Sequence, residues 1–134
     1  MDNIFYSSGY KYQLEEPYEV QTTCRPYVTG GNKFVSIDKE GLLSISAGYA
    51  WDGASGPAID TKNFMRGSLV HDALYQLIAV GILSPSQREK ADLMLKAVVL
   101  EDGMNPVRAW SVYLAVKHFG LVYSRQTKYI QTAP

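Results

Sequence analysis

An α+β domain, with a small antiparallel sheet or hairpin set in the N-terminal third followed by three packed helices, is the fold this chain predicts. Three observations point there. Apolar and polar residues alternate at period two up to Ile45, a Gly/Ala/Ser/Pro-rich stretch interrupts the pattern from Gly48 to Pro57, and from Asn63 onward the apolar period lengthens to that of a helix. A length of 134 residues suits one domain spanning residues 1–134.

Tyr10, Tyr12 and Leu14 alternate with Lys11 and Gln13, and Tyr18 and Val20 alternate with Glu19 and Gln21, as half-buried strands do. Pro17 separates the two runs because it cannot donate to a ladder. Gly30-Gly31-Asn32 reads as a turn ahead of Phe34, Val35 and Ile37, and Asp38-Lys39-Glu40-Gly41 divides that segment from Leu43, Ser44 and Ile45. The stretch around Trp51 and Asp52 is too irregular for an element and too apolar for a linker, and is expected to form a structured loop.

Between Asn63 and Val80, the residues Val70, Ala73, Leu74, Leu77 and Gly81 share one helical face, with His71 and Tyr75 on its flank. Ser84 is a cap and Pro85 a first-turn residue for a second helix. Its run from Gln87 to Leu100 is apolar around most of its circumference, the pattern of a central helix. Gly103 ends it. Asn105 and Pro106 open a third helix in which Val107, Trp110, Tyr113, Leu114 and Phe119 recur at helical spacing until Gly120. Residues 121–134, with Tyr123, Tyr129 and Ile130, show little periodicity and are expected to form an extended arm.

Lys and Arg number 13 and Asp and Glu number 13, so the formal net charge is zero and nucleic acid is excluded as an electrostatic partner. The single Cys24 rules out an internal disulfide, as expected of a chain made in a reducing compartment such as the cytoplasm. The opening MDNIFYSSGY lacks the basic start and apolar run of a signal peptide, and no apolar stretch is long enough for a transmembrane helix. Ten tyrosines, many near the two ends, suit either solvent-facing strands or surfaces that dock onto a partner or a second copy.

The densest chemistry lies in HDALY, which places His71, Asp72 and Tyr75 in one helical turn, and in KADLML, which carries Asp92 one helix later. Histidine titrates near neutrality, so one ring nitrogen can take a proton while a carboxylate holds the other. Asp92 shares a helical face with Leu95 and Val99 and therefore needs a partner, which makes it the candidate holder. Arg88, four residues earlier, is the competing partner through an ordinary helix-surface pair. Asp72 points elsewhere from His71, where it could offer an oxygen to a hard cation alongside backbone carbonyls of the Gly-rich loop. Ser55 in GASGP is an alternative nucleophile with His71 as base. Zinc held by His71, Asp52, Asp72 and Asp92, with His118 added, is a further alternative without HExxH or CxxC to support it. The non-enzymatic alternative is a buried His71/Asp92 network, with Asp52 and Ser55 bracing the loop, that only fixes helix orientation.

DGAS-x-P at Asp52 to Ser55 with Pro57, HDxLY at His71 to Tyr75, Ala91-Asp92 and Phe119-Gly120 together resemble an uncharacterised family encoded in phages and prophages. That resemblance implies phage origin, with virion or tail proteins as partners. The HDxxY turn is also similar to the centre of the secretory and parvoviral phospholipases A2, in which a Gly-rich calcium loop precedes it. This similarity implies His71 as the base that activates water, Asp92 orienting it, and Tyr75 supporting the pair. It further implies Asp72 as calcium ligand, carbonyls from Trp51 to Gly53 completing the shell, and a membrane lipid or other ester as substrate.

Overall fold

The computed structural model describes residues 3–7, 12–51 and 61–118. Among the described residues seven strands form two small antiparallel sheets, followed by three helices, so the α+β expectation holds with two sheets in place of one. The first sheet joins β1 (Tyr6–Ser7), β2 (Tyr12–Leu14) and β7 (Ala50–Trp51) in that order. The second has the order β3 (Tyr18–Gln21), β6 (Leu42–Ile45), β5 (Val35–Ile37), β4 (Gly30–Gly31).

The two-residue period decides which face of the second sheet is buried. In its register Tyr18 and Val35 both oppose Ile45, and Val20 and Ile37 both oppose Leu43. Val35, Ile37, Leu43 and Ile45 are buried as a set, whereas Glu19 and Gln21 face solvent. Gly30 and Gly31 pair with β5 and are not the turn. A Cβ on Gly31 would stand 2.2 Å from the Val35 carbonyl oxygen, so this strand needs a residue without a side chain. The reversal falls on residues 32–34, where Asn32 Oδ1 accepts from the Phe34 and Val35 amides.

Helix α1 (Lys62–Ala79) is buried on all sides through Phe64–Val70 and then only along Ala73, Leu74, Tyr75 and Leu77. The change reflects its position. Its N-terminal half lies between the sheets and the other helices, and its C-terminal half has a free side. Gly81 is not on the packing face; it follows the helix end with φ +86°, and a Cβ there would stand in open space, as at a stop position. Ser84 accepts from the Ser86 amide and caps a 3-10 turn (Pro85–Gln87), after which α2 (Arg88–Glu101) begins.

Helix α2 is amphipathic and not apolar all round. Ala91, Asp92, Leu95, Val98 and Val99 are buried while Leu93, Ala97 and Leu100 face outward, because α1 and the last helix cover one side only. The third helix, α3, occupies residues 106–118, and Asn105 Oδ1 caps it by accepting from Val107 and Arg108. Its buried residues are Ala109, Val112 and Tyr113, so the stripe of Val107, Trp110 and Leu114 points out. Both stripes have helical period; the inner one carries the small Ala109 that lets α3 approach Phe64, Leu95 and Val99 closely. Phe119, Gly120 and the arm at 121–134 lie outside the described residues.

At Gly67 a Cβ would meet Val99 Cγ1 at 2.6 Å and Leu95 Cδ1 at 2.8 Å, so α1 and α2 touch where α1 has no side chain. A second tie closes the far end of this pair. Arg66 is buried and donates to both carboxylate oxygens of Asp102 (2.9–3.3 Å), to Glu101 Oε1 (2.8 Å) and to the Tyr18 hydroxyl (2.8 Å). Among the described residues no helix is long and apolar enough to cross a membrane.

Candidate functional site

His71 and Tyr75 are one helical turn apart on α1, so their side chains project together toward α2. There they meet Asp92, which is 1 % exposed. His71 Nε2 lies 2.7 Å from Asp92 Oδ1, and the Tyr75 hydroxyl donates to the same oxygen at 2.7 Å. The two rings stack with centroids 4.2 Å apart, which holds the imidazole plane as well as its end. Asp92 is thus the buried holder that the sequence offered as one of two choices, directed into α1 and not confined to a surface pair with Arg88.

The acceptor determines the tautomer. An ionised carboxylate only accepts hydrogen bonds, so opposite ionised Asp92 a neutral imidazole is the tautomer with its proton on Nε2 and its lone pair on Nδ1. Tyr75 is held as a donor for the same reason. Burial first, then its hydrogen bond to Asp92 and the charge of that carboxylate, push the phenol well above its usual range, against a smaller opposing pull from Arg88. His71 keeps 15 % of its side chain exposed while Asp92 is sealed, so solvent reaches the imidazole but not the acid behind it.

Asp72, one residue on, is exposed on another side of α1, and its Oδ2 accepts from the Tyr49 hydroxyl at a long 3.4 Å. Trp51 is a core residue, 1 % exposed, with Tyr6 and Tyr12 against its ring. Its Nε1 donates to Ser68 Oγ at 2.9 Å, and that hydroxyl donates to the Met65 carbonyl at 2.8 Å. Trp51, expected from the sequence to lie in a loop, instead closes β7, and this contact anchors it one turn of α1 before His71. Asp52, Gly53 and Ser55, together with Gly56 and Pro57, lie outside the described residues.

Among the described residues no group of three or more His, Cys, Asp or Glu could hold a metal ion. Asp72 alone falls far short of the six to eight oxygens of a calcium shell, so these residues do not by themselves make a calcium site. His118, the last described residue of α3, is exposed and is not gathered with His71 into a zinc set among the described residues. Cys24 is no rival nucleophile, since burial pushes its thiol up to about 11 despite the lowering charge of Lys90.

Sequence reasoning missed Tyr49 and Ser68, which position Asp72 and Trp51, and it missed Arg66. The signal for Arg66 was present as a lone charge inside the apolar run FMRGSLV, a place where an arginine must find partners. Beside it opens a cavity of about 790 Å³ bordered by Phe5, Lys62, Asn63, Met65, Arg66 and Glu101, among others.

Residues 31–116 match the model of a family described as a protein of unknown function, DUF1353. No curated protein and no solved structure matches the chain. The matched segment runs from β4 into α3 and carries His71, Asp72, Tyr75 and Asp92 within it. With that segment covering most of its length, the chain belongs to the DUF1353 family of proteins of unknown function.

Proposed function

We propose that this protein hydrolyses ester bonds, with membrane lipids or related esters as the substrate class, and that His71 is its general base. The observation that carries the reading is the pair of 2.7 Å contacts from His71 and Tyr75 onto one buried oxygen of Asp92. That arrangement leaves Nδ1 as the acceptor. Nδ1 takes a proton from water as the water oxygen bonds to the ester carbonyl carbon, and the Nε2–H bond to Asp92 stabilises the imidazolium that results. The same proton then passes to the departing alkoxide as the carbon–oxygen bond breaks, and the ring returns to neutral. The HDxxY similarity of the sequence supports the same roles, and its resemblance to a family encoded in phages supports a phage-encoded protein as the setting.

A second reading is favoured by the near-complete burial of Asp92, which joins α1 to α2 whatever the chemistry. In it the network only braces the fold and the chain is a structural part of a phage tail or virion. His71→Gln separates the two, because the amide nitrogen can still donate to Asp92 while no group remains to accept the proton. Hydrolysis of a fluorogenic ester and of phospholipid vesicles is expected to fall by roughly 10²–10⁴ in this variant, with the melting temperature within a few degrees of wild type. An inactive wild-type protein across both substrates, or a variant that loses its fold, leaves the brace.

Calcium is a separable part of the proposal, with Asp72 as the ligand the HDxxY similarity assigns. Added calcium is expected to raise the melting temperature of the wild type by ligand linkage, and Asp72→Asn is expected to abolish that gain. A flat response in the wild type would remove the ion and leave the His71 chemistry standing.

A further inference from the structure

We propose that the cavity beside Arg66 binds a free α-amino acid with a large apolar side chain. This does not depend on the hydrolytic reading, since the cavity lies at the far end of α1 from His71. It has a volume of about 790 Å³ and is bordered by the chain entering β1, the first turn of α1 and the last turn of α2. Pockets of that size take small molecules. Because α1 and α2 run in opposite senses, one border is the start of a helix and another is the end of one. The start offers amide N–H groups and the end offers carbonyls, so the cavity has partial charges of both signs built into its rim.

The start of α1 keeps its donors uncommitted. Thr61 stands at the cap position, yet its hydroxyl donates to Asn63 Oδ1 at 2.6 Å, accepts from Arg108 Nη1 at 3.3 Å and caps no amide. Among the described residues the amides of Lys62 and Asn63 therefore have no acceptor, and Lys62 forms no ion pair. No acidic side chain stands in this turn. Two N–H groups beside an ammonium suit a carboxylate.

The complementary acid is one helical turn away. Arg66, four residues after Lys62, takes both oxygens of Asp102 but only Oε1 of Glu101, at 2.8 Å. Glu101 is 55 % exposed at its side chain, and among the described residues its Oε2 has no partner, so it can accept from an ammonium. The carboxylate and ammonium of an amino acid share one carbon. With a hydrogen bond of about 2.9 Å on either side, they bridge groups roughly a turn of helix apart. Phe5, 54 % exposed, and the thioether of Met65 border the same space and give the ligand side chain an apolar surface.

Charge selects this ligand over others. The rim carries two cations, Lys62 and Arg66, and two carboxylates, Glu101 and Asp102, which matches a molecule with one charge of each sign. A phosphate monoester would bring two negative charges to a single uncommitted cation. A fatty acid would set its carboxylate or its chain against Glu101 with nothing to offer it.

Calorimetric titration of the full chain with L-phenylalanine and with L-leucine is expected to give dissociation constants on the order of 100 μM. N-acetyl-L-phenylalanine, L-phenylalaninamide and glycine, which lack the ammonium, the carboxylate and the side chain in turn, should each bind about tenfold more weakly or worse. Lys62→Gln and Phe5→Ser should each weaken phenylalanine by a similar factor. Both residues are exposed, so these variants are expected to keep the melting curve of the wild type. In nitrogen–proton correlation spectra the amide signals of Lys62 and Asn63 should move on titration. Absence of binding by either amino acid up to about 10 mM would overturn the proposal, as would binding that Lys62→Gln leaves unchanged. N-acetyl-L-phenylalanine binding as tightly as phenylalanine would also overturn it and give the cavity to simple carboxylates.

Discussion

Asp92→Asn is expected to lower ester hydrolysis by roughly 10³–10⁴ while the chain still folds. The substitution is nearly isosteric, so packing around α2 is kept. What changes is the hydrogen-bond chemistry. Oδ1 of the wild type accepts from both His71 Nε2 and the Tyr75 hydroxyl at 2.7 Å, and an amide in the same place must turn its nitrogen toward one of them. When Tyr75 keeps the oxygen, His71 faces an N–H, and the ring satisfies it only by moving its own proton to Nδ1. The nitrogen meant to accept from water then carries a hydrogen. Combining Asp92→Asn with His71→Gln should cost little more than either alone, because both remove the same proton acceptor. Rates for the two single variants and the double variant check this. Full additivity would mean that the two side chains act independently, against the mechanism proposed.

Removing the Arg66 side chain is the largest expected loss of stability. Arg66→Ala should cost about 3–5 kcal/mol in chemical denaturation, because it strands groups that were desolvated together. The guanidinium is 5 % exposed and bonds two neighbouring carboxylates at the C-terminal end of α2 and a phenol on β3. Without it Asp102, 14 % exposed, keeps its charge and loses its counterion, and the Tyr18 hydroxyl loses its donor at the edge of the core. Arg66→Met, which retains the stem and its packing, should recover only part of the loss, since the stranded acid remains. A pair Arg66→Met with Asp102→Leu that returns to near wild-type stability would identify the unpaired charge as the cost. An Arg66→Ala variant as stable as the wild type would show that water reaches and solvates this corner.

The fold and the pairing at its centre were largely readable from residue order, and the failures have separate physical causes. Alternation at Tyr18 to Gln21 and at Val35 to Ile45 identified strands because each has one wet and one dry face. HDALY and KADLML identified partners because a carboxylate on an apolar helix face demands one. Gly30-Gly31 misled because glycine serves close backbone approach as readily as reversal, and only the contact with Val35 distinguishes the two. On α3 the period was right and the face wrong. Residue size favoured Val107, Trp110 and Leu114, whereas the interface with Phe64 and Leu95 required the smaller Ala109. Tyr49 and Ser68 were invisible for another reason: the partners they position lie 23 and 17 residues away, and no local spacing encodes such a meeting; the lone charge of Arg66 signalled that it has partners but not that one of them is Tyr18, 48 residues away.

The bare backbone at Gly67 has an effect one turn further along. Gly67 and His71 are four residues apart on α1, and the groups they meet, Leu95 with Val99 and then Asp92, run back along α2 in the opposite sense. How near the imidazole comes to its acid is therefore set partly by an atom that is missing. Any methyl introduced there would act as a shim between the two cylinders, and the reach of the proton donor would lengthen by a comparable amount. Alignment of the imidazole with its acid is in this sense delegated to a neighbouring position that has no side chain.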